Sequence, residues 1–345
     1  MEVRNMMVAL RTKRAWGLAT AAVACMLSFD VYAESINKQS ESHAGYECAA
    51  VSQQAPSSAT QWLERGLWAS HCYAFQARAV AIDSIGVRTL ALSHRIQDGI
   101  RQQVVQYLDG PSVSIERRSP VGRLAWTEED STGELPSPAR WAAHLEQFYS
   151  IELEDNARVA GREAVKLMFE PRDQWRFSHE WWLDQDTGLL LKHVLIDQHG
   201  RIIETFQITQ LQSPRKYTGI VRVDGSKVVL GTPWQVTWLP EGFVTQPINF
   251  TGNDRHQRVY SDGLATVSIF VEPLSSDATT ALKEGVQQLG VSAVAIEHTM
   301  SAKGRWQVVA IGELPVATLQ RIVRSINFDL LESRTSSDSH DEDEP

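Results

Sequence analysis

Apolar and polar residues alternate with a period of two along much of the chain, and this pattern predicts β-strands. From Tyr73 to Ala81 the odd positions are apolar or aromatic, whereas Gln76 and Arg78 occupy even positions. Further strands are predicted at 86–95, 100–108 and 112–117, the last of them after the turn Asp109-Gly110-Pro111.

The clearest alternation lies between residues 157 and 212 and predicts an antiparallel meander. One face of its first strand carries Trp175, Phe177, His179, Trp181 and Leu183. Turns at 186–188 and 198–200 lead into strands at 189–197 and 201–210. The length of these strands favours a wide curved sheet, which must close, pack a helix on its concave face or hold a ligand there.

Helical spacing predicts a helix over 60–68, for which Ser57, Ser58 and Thr60 are candidate N-caps, and a short helix over 141–149. A smaller α+β unit is predicted towards the end of the chain, with a strand at 260–271, a helix at 278–289, a strand at 305–312 and a helix at 316–326. The predicted organisation is an N-terminal leader 1–33, a lead-in 34–58, a first domain 59–212, an interdomain linker 213–230, a second domain 231–330 and a disordered acidic tail 331–345.

The first residues have the features of an export signal. Lys13-Arg14 precedes an apolar run of 13 residues, which is followed by the small-residue pattern Val31-Tyr32-Ala33. Cleavage is therefore predicted between Ala33 and Glu34, and the run is too short to span a bilayer. Two alternatives remain open: a buried N-terminal helix, and lipidation at Cys25 after a weak lipoprotein-like box.

Two cysteines, Cys48 and Cys72, remain after such processing. In an oxidising compartment a pair of this kind is more often bridged than free, so a disulfide is the expected state. A metal site needs more ligands at short spacing, and only His71 stands near.

The formal net charge is −9, from 33 basic and 42 acidic residues. The predicted leader is basic and the last residues are acidic, so the body between them is moderately acidic. It lacks the basic stripe that neutralises phosphates, which disfavours a nucleic-acid partner.

The sequence contains no Gly-rich phosphate loop, CxxC, HExxH or GxSxG motif. His179-Glu180 lacks the second histidine of a zinc motif, and the 184–188 turn lacks most ligands of a calcium loop. We therefore expect no enzyme activity, no cofactor and no metal, although catalytic groups brought together only by folding stay an alternative.

Aromatic residues on strand faces are the one feature that indicates ligand binding. They are most often core residues, but a curved sheet lined by them can leave a cavity for an acyl chain. The candidate residues of such a lipid pocket are Tyr73, Phe75, Trp175, Phe177, Trp181 and Phe206.

Several short strings together resemble those of the MucB/RseB family of periplasmic negative regulators of the envelope-stress sigma factor. The resemblance covers about residues 60–328, and its most specific strings lie in the second domain. The strings are Asp109-Gly110-Pro111, Val159-Ala160-Gly161-Arg162, Trp182-Leu183-Asp184 with Thr187-Gly188-Leu189, Thr237 through Phe243, Tyr260 through Leu264, Gly312 through Pro315, and Ile322 through Phe328.

This resemblance implies an α+β fold: a large half-open antiparallel β-barrel with helices across its mouth, similar to LolA/LolB-type carriers, and a small C-terminal α+β domain. It also implies a periplasmic protein that binds the periplasmic domain of an inner-membrane anti-sigma factor and protects it from proteolysis. The resemblance implies that lipid or lipopolysaccharide acyl chains are the signal that releases the anti-sigma factor. It also implies that the protein is held at the membrane only through this partner. A periplasmic lipid or lipoprotein carrier is the alternative function, and self-association stays open.

Overall fold

The computed structural model describes residues 45–51, 54–119, 121–122, 137–224, 232–247, 256–274, 281–302 and 304–328. The predicted leader with its cleavage site at Ala33 and Glu34, the first part of the lead-in and the acidic tail lie outside these residues.

The first domain contains twelve strands and two α-helices within the described residues. They are β1 (Gly45–Glu47), α1 (Ala59–Cys72), β2 (Tyr73–Asp83), β3 (Gly86–Gln97), β4 (Ile100–Tyr107), β5 (Ser114–Ser119), β6 (Val121–Gly122), α2 (Pro138–Phe148), β7 (Tyr149–Val159), β8 (Arg162–Pro171), β9 (Ser178–Asp184), β10 (Leu190–Ile196), β11 (Ile202–Lys216) and β12 (Ile220–Asp224). The predicted strands of the β2–β5 region and the predicted meander are confirmed.

Nine of these strands form one antiparallel sheet, in the order β5-β4-β3-β2-β11-β10-β9-β8-β7. A second, three-stranded sheet, β1-β12-β6, contacts the turn between β3 and β4, where the backbone N–H of Arg222 donates to the carbonyl of Gly99 at 2.8 Å. The fold is mostly antiparallel β-sheet with few helices, because alternating strands joined by tight turns pair with their neighbours in sequence.

Helices α1 and α2 both bury an apolar stripe against the strands β7 to β9. Ser58 is the N-cap of α1 and accepts the backbone N–H of Gln61 at 3.2 Å. The shared core contains Trp62, Leu63 and Leu67 of α1, Ala142 and Leu145 of α2, and Val165, Leu167, Phe169 and Leu183 of the sheet. The two helices therefore cover one face at one end of the sheet.

The second domain has eight strands and one helix within the described residues. They are β13 (Gln235–Val236), β14 (Val244–Thr245), β15 (Gln257–Ser261), β16 (Thr266–Pro273), β17 (Gly285–Leu289), β18 (Ser292–Ser301), β19 (Gly304–Gly312), α3 (Val316–Arg324) and β20 (Ile326–Asn327). Six strands form a sheet in the order β14-β15-β16-β19-β18-β17, and Leu319, Ile322 and Val323 of α3 belong to its core.

Two predictions for the second domain are wrong. The segment predicted as a helix at 278–289 ends in strand β17, which pairs with β18 across a two-residue turn at Gly290-Val291. This tertiary pairing overrides the helical propensity of the sequence. The single strand predicted at 260–271 is a hairpin, because Asp262 accepts the backbone N–H groups of Leu264 and Ala265 and so fixes a turn.

The linker predicted at 213–230 is wrong for residues 213–216 and 220–224. Ser213 has a positive φ of 42°, and it lies with Pro214 in a bulge of β11. Beyond the bulge Arg215 and Lys216 pair again with β2, so a proline at a bulge did not end the strand. Strand β12 then pairs with β1, and residues 225–231 lie outside the described residues.

Candidate functional site

A row of directly paired residues crosses one face of the large sheet. Ala81 of β2 pairs with Phe206 of β11, Phe206 with His193 of β10, His193 with Trp181 of β9, and Trp181 with Leu167 of β8. Directly paired residues of antiparallel strands project from the same face. Trp181 and Phe206, two of the predicted pocket residues, therefore lie on one face two strands apart.

Trp181 lies where this face passes beneath the helices. It is half-buried against the core that α1 and α2 cover, and its ring centroid is 5.1 Å from that of Phe169. Phe206 is half-buried against a second cluster, which contains Ala77, Ala79 and Ala81 of β2. The small side chains of β2 thus adjoin a partly exposed aromatic ring on β11.

Phe75 and Tyr73 lie further along β2. Phe75 makes an edge contact with His94, with ring centroids 5.6 Å apart, and both line a depression of about 500 Å³. Tyr73 follows the last residue of α1 and pairs with Lys216, and burial raises the pKa of its phenol. By strand parity both residues belong to the face of Ala77 and Ala81.

Trp175 does not share this face, so the predicted common face of Trp175 and Trp181 is wrong. Strand β9 begins only at Ser178, because Asp173 accepts the backbone N–H of Trp175 and turns the chain. The Trp175 ring packs edge-on against Trp238 of the second domain at 5.1 Å. The Arg321 guanidinium lies 3.9 Å from the Trp238 ring and 4.9 Å from the Trp175 ring.

Phe177 also lies near the second domain. It is buried and lines a cleft of about 710 Å³ between the domains, together with Ile82, Ile203, Pro315 and Val316. The structure therefore brings Tyr73, Phe75, Trp181 and Phe206 to one sheet face, and it places Trp175 and Phe177 at the boundary between the domains.

A buried ion pair joins the two domains. Arg176 and Asp262 are fully buried, and Nη1 of Arg176 donates to Oδ2 of Asp262 at 2.8 Å. The same oxygen accepts the hydroxyl of Tyr149 at 2.9 Å, and Arg176 also donates to the carbonyl of Glu241. Burial and the neighbouring Asp262 carboxylate raise the pKa of Tyr149 well above its ordinary value, so its hydroxyl stays a donor.

Aromatic rings surround the Arg176 guanidinium. The ring centroids of Phe148, Tyr149 and Phe243 lie 4.9, 5.7 and 5.3 Å from its central carbon. Phe148 is the last residue of α2 and Tyr149 the first of β7, so the end of a helix that covers the sheet face touches the second domain.

Two histidines, the buried His179 and the half-buried His193, lie in the middle of the sheet face. The rings of His179 and His193 are stacked with centroids 5.4 Å apart, and Nδ1 of His179 is 3.1 Å from Nε2 of His193. Burial lowers the pKa of His179 to about 3 and that of His193 to about 4. Both rings are therefore neutral near pH 7.

Cys48 and Cys72 form a disulfide, with Cα atoms 5.5 Å apart. Both residues are buried with Tyr46 and Val221, so the bridge ties β1 and β12 to the end of α1. The chain-entropy model assigns a loop of this size about 3 kcal/mol of stabilisation.

No group of three or more potential metal ligands occurs among the described residues. Within the same residues, no helix has the length and hydropathy needed to cross a bilayer.

Sequence reasoning missed the interdomain ion pair. The predicted strand with Trp175 and Phe177 on one face places Arg176 on its opposite, polar face, whereas its side chain lies between the domains. The available signals were an arginine between two aromatic residues, Trp175 and Phe177, and the Asp-Gly turn at 262–263, but sequence alone does not pair residues 86 positions apart.

Two family models together match most of the described chain. The MucB/RseB N-terminal domain matches residues 58–227, and the MucB/RseB C-terminal domain matches residues 230–327. The fold and these matches define the class, a two-domain sigma-factor regulatory protein. The chain belongs to the MucB/RseB family.

Individual relatives agree with this assignment. The sigma factor AlgU regulatory protein MucB of Pseudomonas aeruginosa is 31% identical over 296 residues, which cover 78% of this chain and 90% of the relative. The sigma-E factor regulatory protein RseB of Escherichia coli K12 is 24% identical over 289 residues, covering 75% of this chain and 87% of the relative.

Solved structures of MucB are also similar. The P. aeruginosa MucA/MucB complex matches with a TM-score of 0.60 at 29% identity, covering 78% of this chain and 98% of that one. A crystal structure of MucB in complex with MucA(peri) matches with a TM-score of 0.59 at 30% identity and the same coverage.

Proposed function

We propose that this chain is a periplasmic, non-enzymatic regulator that binds the periplasmic segment of a membrane-anchored anti-sigma factor and protects it from proteolysis. The observation that carries the proposal is similarity over both domains to MucB, which has been solved in complex with MucA(peri). The buried Arg176–Asp262 pair supports it, because a partner that touches both domains then meets one fixed surface.

The large domain acts as a half-open barrel with α1 and α2 across its mouth. Both helices pack on one face of the sheet, and the sheet order runs from β5 to β7 without a described pairing between these two strands. An acyl chain entering beside Trp181 and Phe206 gains about 0.8 kcal/mol for each buried CH2 group.

Lipid binding releases the anti-sigma factor if the lipid-bound conformation has the lower partner affinity. The structure offers a physical connection for this coupling. Helix α2 covers the sheet face, and its last residue, Phe148, contacts Arg176 in the buried interdomain network.

A protection assay tests this function. The purified chain is mixed with the periplasmic domain of its own anti-sigma factor, and the half-life of that domain is measured against a site-specific protease. We expect a stoichiometric complex and a longer half-life, which addition of lipopolysaccharide shortens again. Absence of a complex would reject the proposal.

A lipid or lipoprotein carrier is the second candidate function, and the apolar sheet face favours it. Capture from periplasmic extract separates the two functions. A regulator retains one inner-membrane partner, whereas a carrier retains many lipoproteins.

A further inference from the structure

Strand β17 is an unprotected sheet edge. Its five residues, Gly285 to Leu289, are all exposed and include no charge and no proline, and their register with β18 is regular. No described strand pairs with its outer side. Proteins usually shield such edges with charges, prolines, bulges or short strands, because an open edge pairs with other chains.

Two other edge strands of this chain carry these protections. Strand β7 has a bulge between Glu154 and Ala157 and several charged residues. Strand β14 at the opposite edge of the second-domain sheet is only two residues long. The open edge at β17 is therefore an exception that indicates a binding surface.

The register shows which backbone groups are available at this edge. Leu289 and Ser292 flank a two-residue turn, and in such hairpins the flanking pair is hydrogen-bonded. Because hydrogen-bonded and non-hydrogen-bonded pairs alternate along an antiparallel ladder, the backbone groups of Gln287 and Gly285 also bond to β18. The N–H and C=O groups of Val286 and Gln288 consequently point to the open side.

A groove runs beside this edge, and we call it the α3–β17 groove. It has a volume of about 290 Å³ and is lined by Glu284, Gly285, Val286, Ala295, Ile296, Glu297, Gln320, Val323 and Arg324. A sheet edge next to a helix is the arrangement with which several peptide-binding domains add an extended segment to their sheet.

The groove leads towards the cleft between the domains. Gln288 of β17 and Gly290 of the turn that follows line that cleft together with Ile82 and Ile202 of the first domain. Ile82 and Ile202 are 43% and 66% exposed, so the cleft offers apolar surface beyond the edge. An occupant that follows β17 therefore reaches both domains.

We propose that β17 and the α3–β17 groove bind an extended segment of the anti-sigma factor as an added strand, with apolar side chains at the end of the segment that enters the cleft. This inference rests on the proposed function and names the surface that performs it. The open N–H and C=O groups of β17 suit an extended backbone, and the exposed Ile82 and Ile202 of the cleft suit apolar side chains at one end of the segment.

A second copy of the chain is the less suitable occupant. A stable interface buries about 800 Å² on each partner, and an edge of five residues pairing with itself offers much less. An extended segment buries surface in the groove and in the cleft as well as along the edge, whereas a folded second copy buries surface only along its own edge.

Amide hydrogen exchange measured by NMR tests the proposal directly. The probe is the periplasmic domain of the chain's own anti-sigma factor, added to saturation. We expect exchange at Val286 and Gln288 to slow at least about tenfold in the complex, whereas Gln287, already bonded to β18, changes little. If amide exchange at these residues instead slows as the concentration of this chain rises in the absence of the probe, a second copy occupies the edge. That result would overturn the proposal.

Substitutions at Val286 provide a second test of the proposal. Val286→Pro removes an outward N–H that β18 does not use, and we expect the Kd for the probe to rise at least about tenfold. Val286→Thr keeps the N–H and should stay within about threefold of the wild type. If the wild type binds the probe while Val286 exchange and V286P affinity are unchanged, the proposal fails and the proposed function stands. If the wild type does not bind, both fail.

Discussion

Nη1 of Arg176 lies 2.8 Å from Oδ2 of Asp262, and this fully buried ion pair joins the two domains. Asp262 also accepts hydrogen bonds from Tyr149, Leu264 and Ala265, so its carboxylate is held from both domains. The pair fixes the domains relative to each other because neither charge has water to replace its partner.

Removing one member of this pair should therefore lower the free energy of unfolding. Asp262→Ala removes the buried partner of Arg176 and leaves only the partly exposed Asp173 carboxylate beside its guanidinium, and we expect the free energy of unfolding to fall by about 3 kcal/mol in urea titrations. Asp186→Ala is the control, because Asp186 is exposed and its contact with Arg162 contributes about 1 kcal/mol or less. Equal effects of the two substitutions would contradict the structural role of Asp262.

Most long strands of the first domain were predictable because each carries its own alternation, whereas the short strands β1 and β12 lie in the predicted lead-in and linker. Alternation indicated β2 to β4 correctly, and alternation together with the turns at 186–188 and 198–200 indicated β9 to β11. The site was only partly predictable. Trp181 and Phe206 do share a face, but Trp175 leaves it because Asp173 turns the chain before β9 begins.

The errors in the second domain have a different origin. The Ala-, Lys- and Gln-containing segment before Gly290 has helical propensity, yet Gly285 to Leu289 gain five strand pairings with β18. Sequence alone does not reveal such a partner, nor the burial of Arg176 between domains. The Asp262-Gly263 turn, in contrast, was a readable signal inside the predicted strand at 260–271.

Gly242 packs against the end of α2. Its φ is +85°, and a Cβ at this position would overlap the ring of Phe148. Gly242→Ala should thus combine backbone strain with a steric clash and lower the free energy of unfolding by about 2–4 kcal/mol. Gly110→Ala is the matched control: φ there is +75°, but no atom lies within 4 Å of the added Cβ, so only the strain of about 1 kcal/mol remains. The measurement is the midpoint of thermal unfolding of each variant. If both substitutions lower this midpoint by the same amount, the close contact at Gly242 is refuted.

The stacked histidines His179 and His193 predict a pH dependence of stability. The pKa of His179 is lowered to about 3 and that of His193 to about 4, whereas an unfolded histidine titrates near about 6.5. Between these values the unfolded chain binds more protons, so the stability present above about pH 6.5 is lost as the pH falls towards 4.

Unfolding free energies measured between pH 7.5 and 5 check this dependence. His179→Phe should reduce the slope by up to about 1.4 kcal/mol per pH unit, because one buried neutral histidine no longer has to be protonated. Ser84→Ala, an exposed position in a turn that removes no titratable group, should leave the slope unchanged. A slope in His179→Phe that equals the wild-type slope would show that the pair does not control acid sensitivity.

Phe206 and its neighbour Gln207 allow the lipid site to be tested on two faces of one strand. Phe206 lies in the row that includes Trp181, and Gln207 pairs with Lys192 and projects from the opposite face. Phe206→Glu places a charge on the apolar face, and we expect the Kd for a fluorescent long-chain fatty acid to rise at least about tenfold, or about 1.4 kcal/mol. Gln207→Glu adds the same charge outside this face and should change the Kd less than about twofold. If lipid still displaces the anti-sigma domain from folded Phe206→Glu at the wild-type concentration, the acyl chain binds elsewhere.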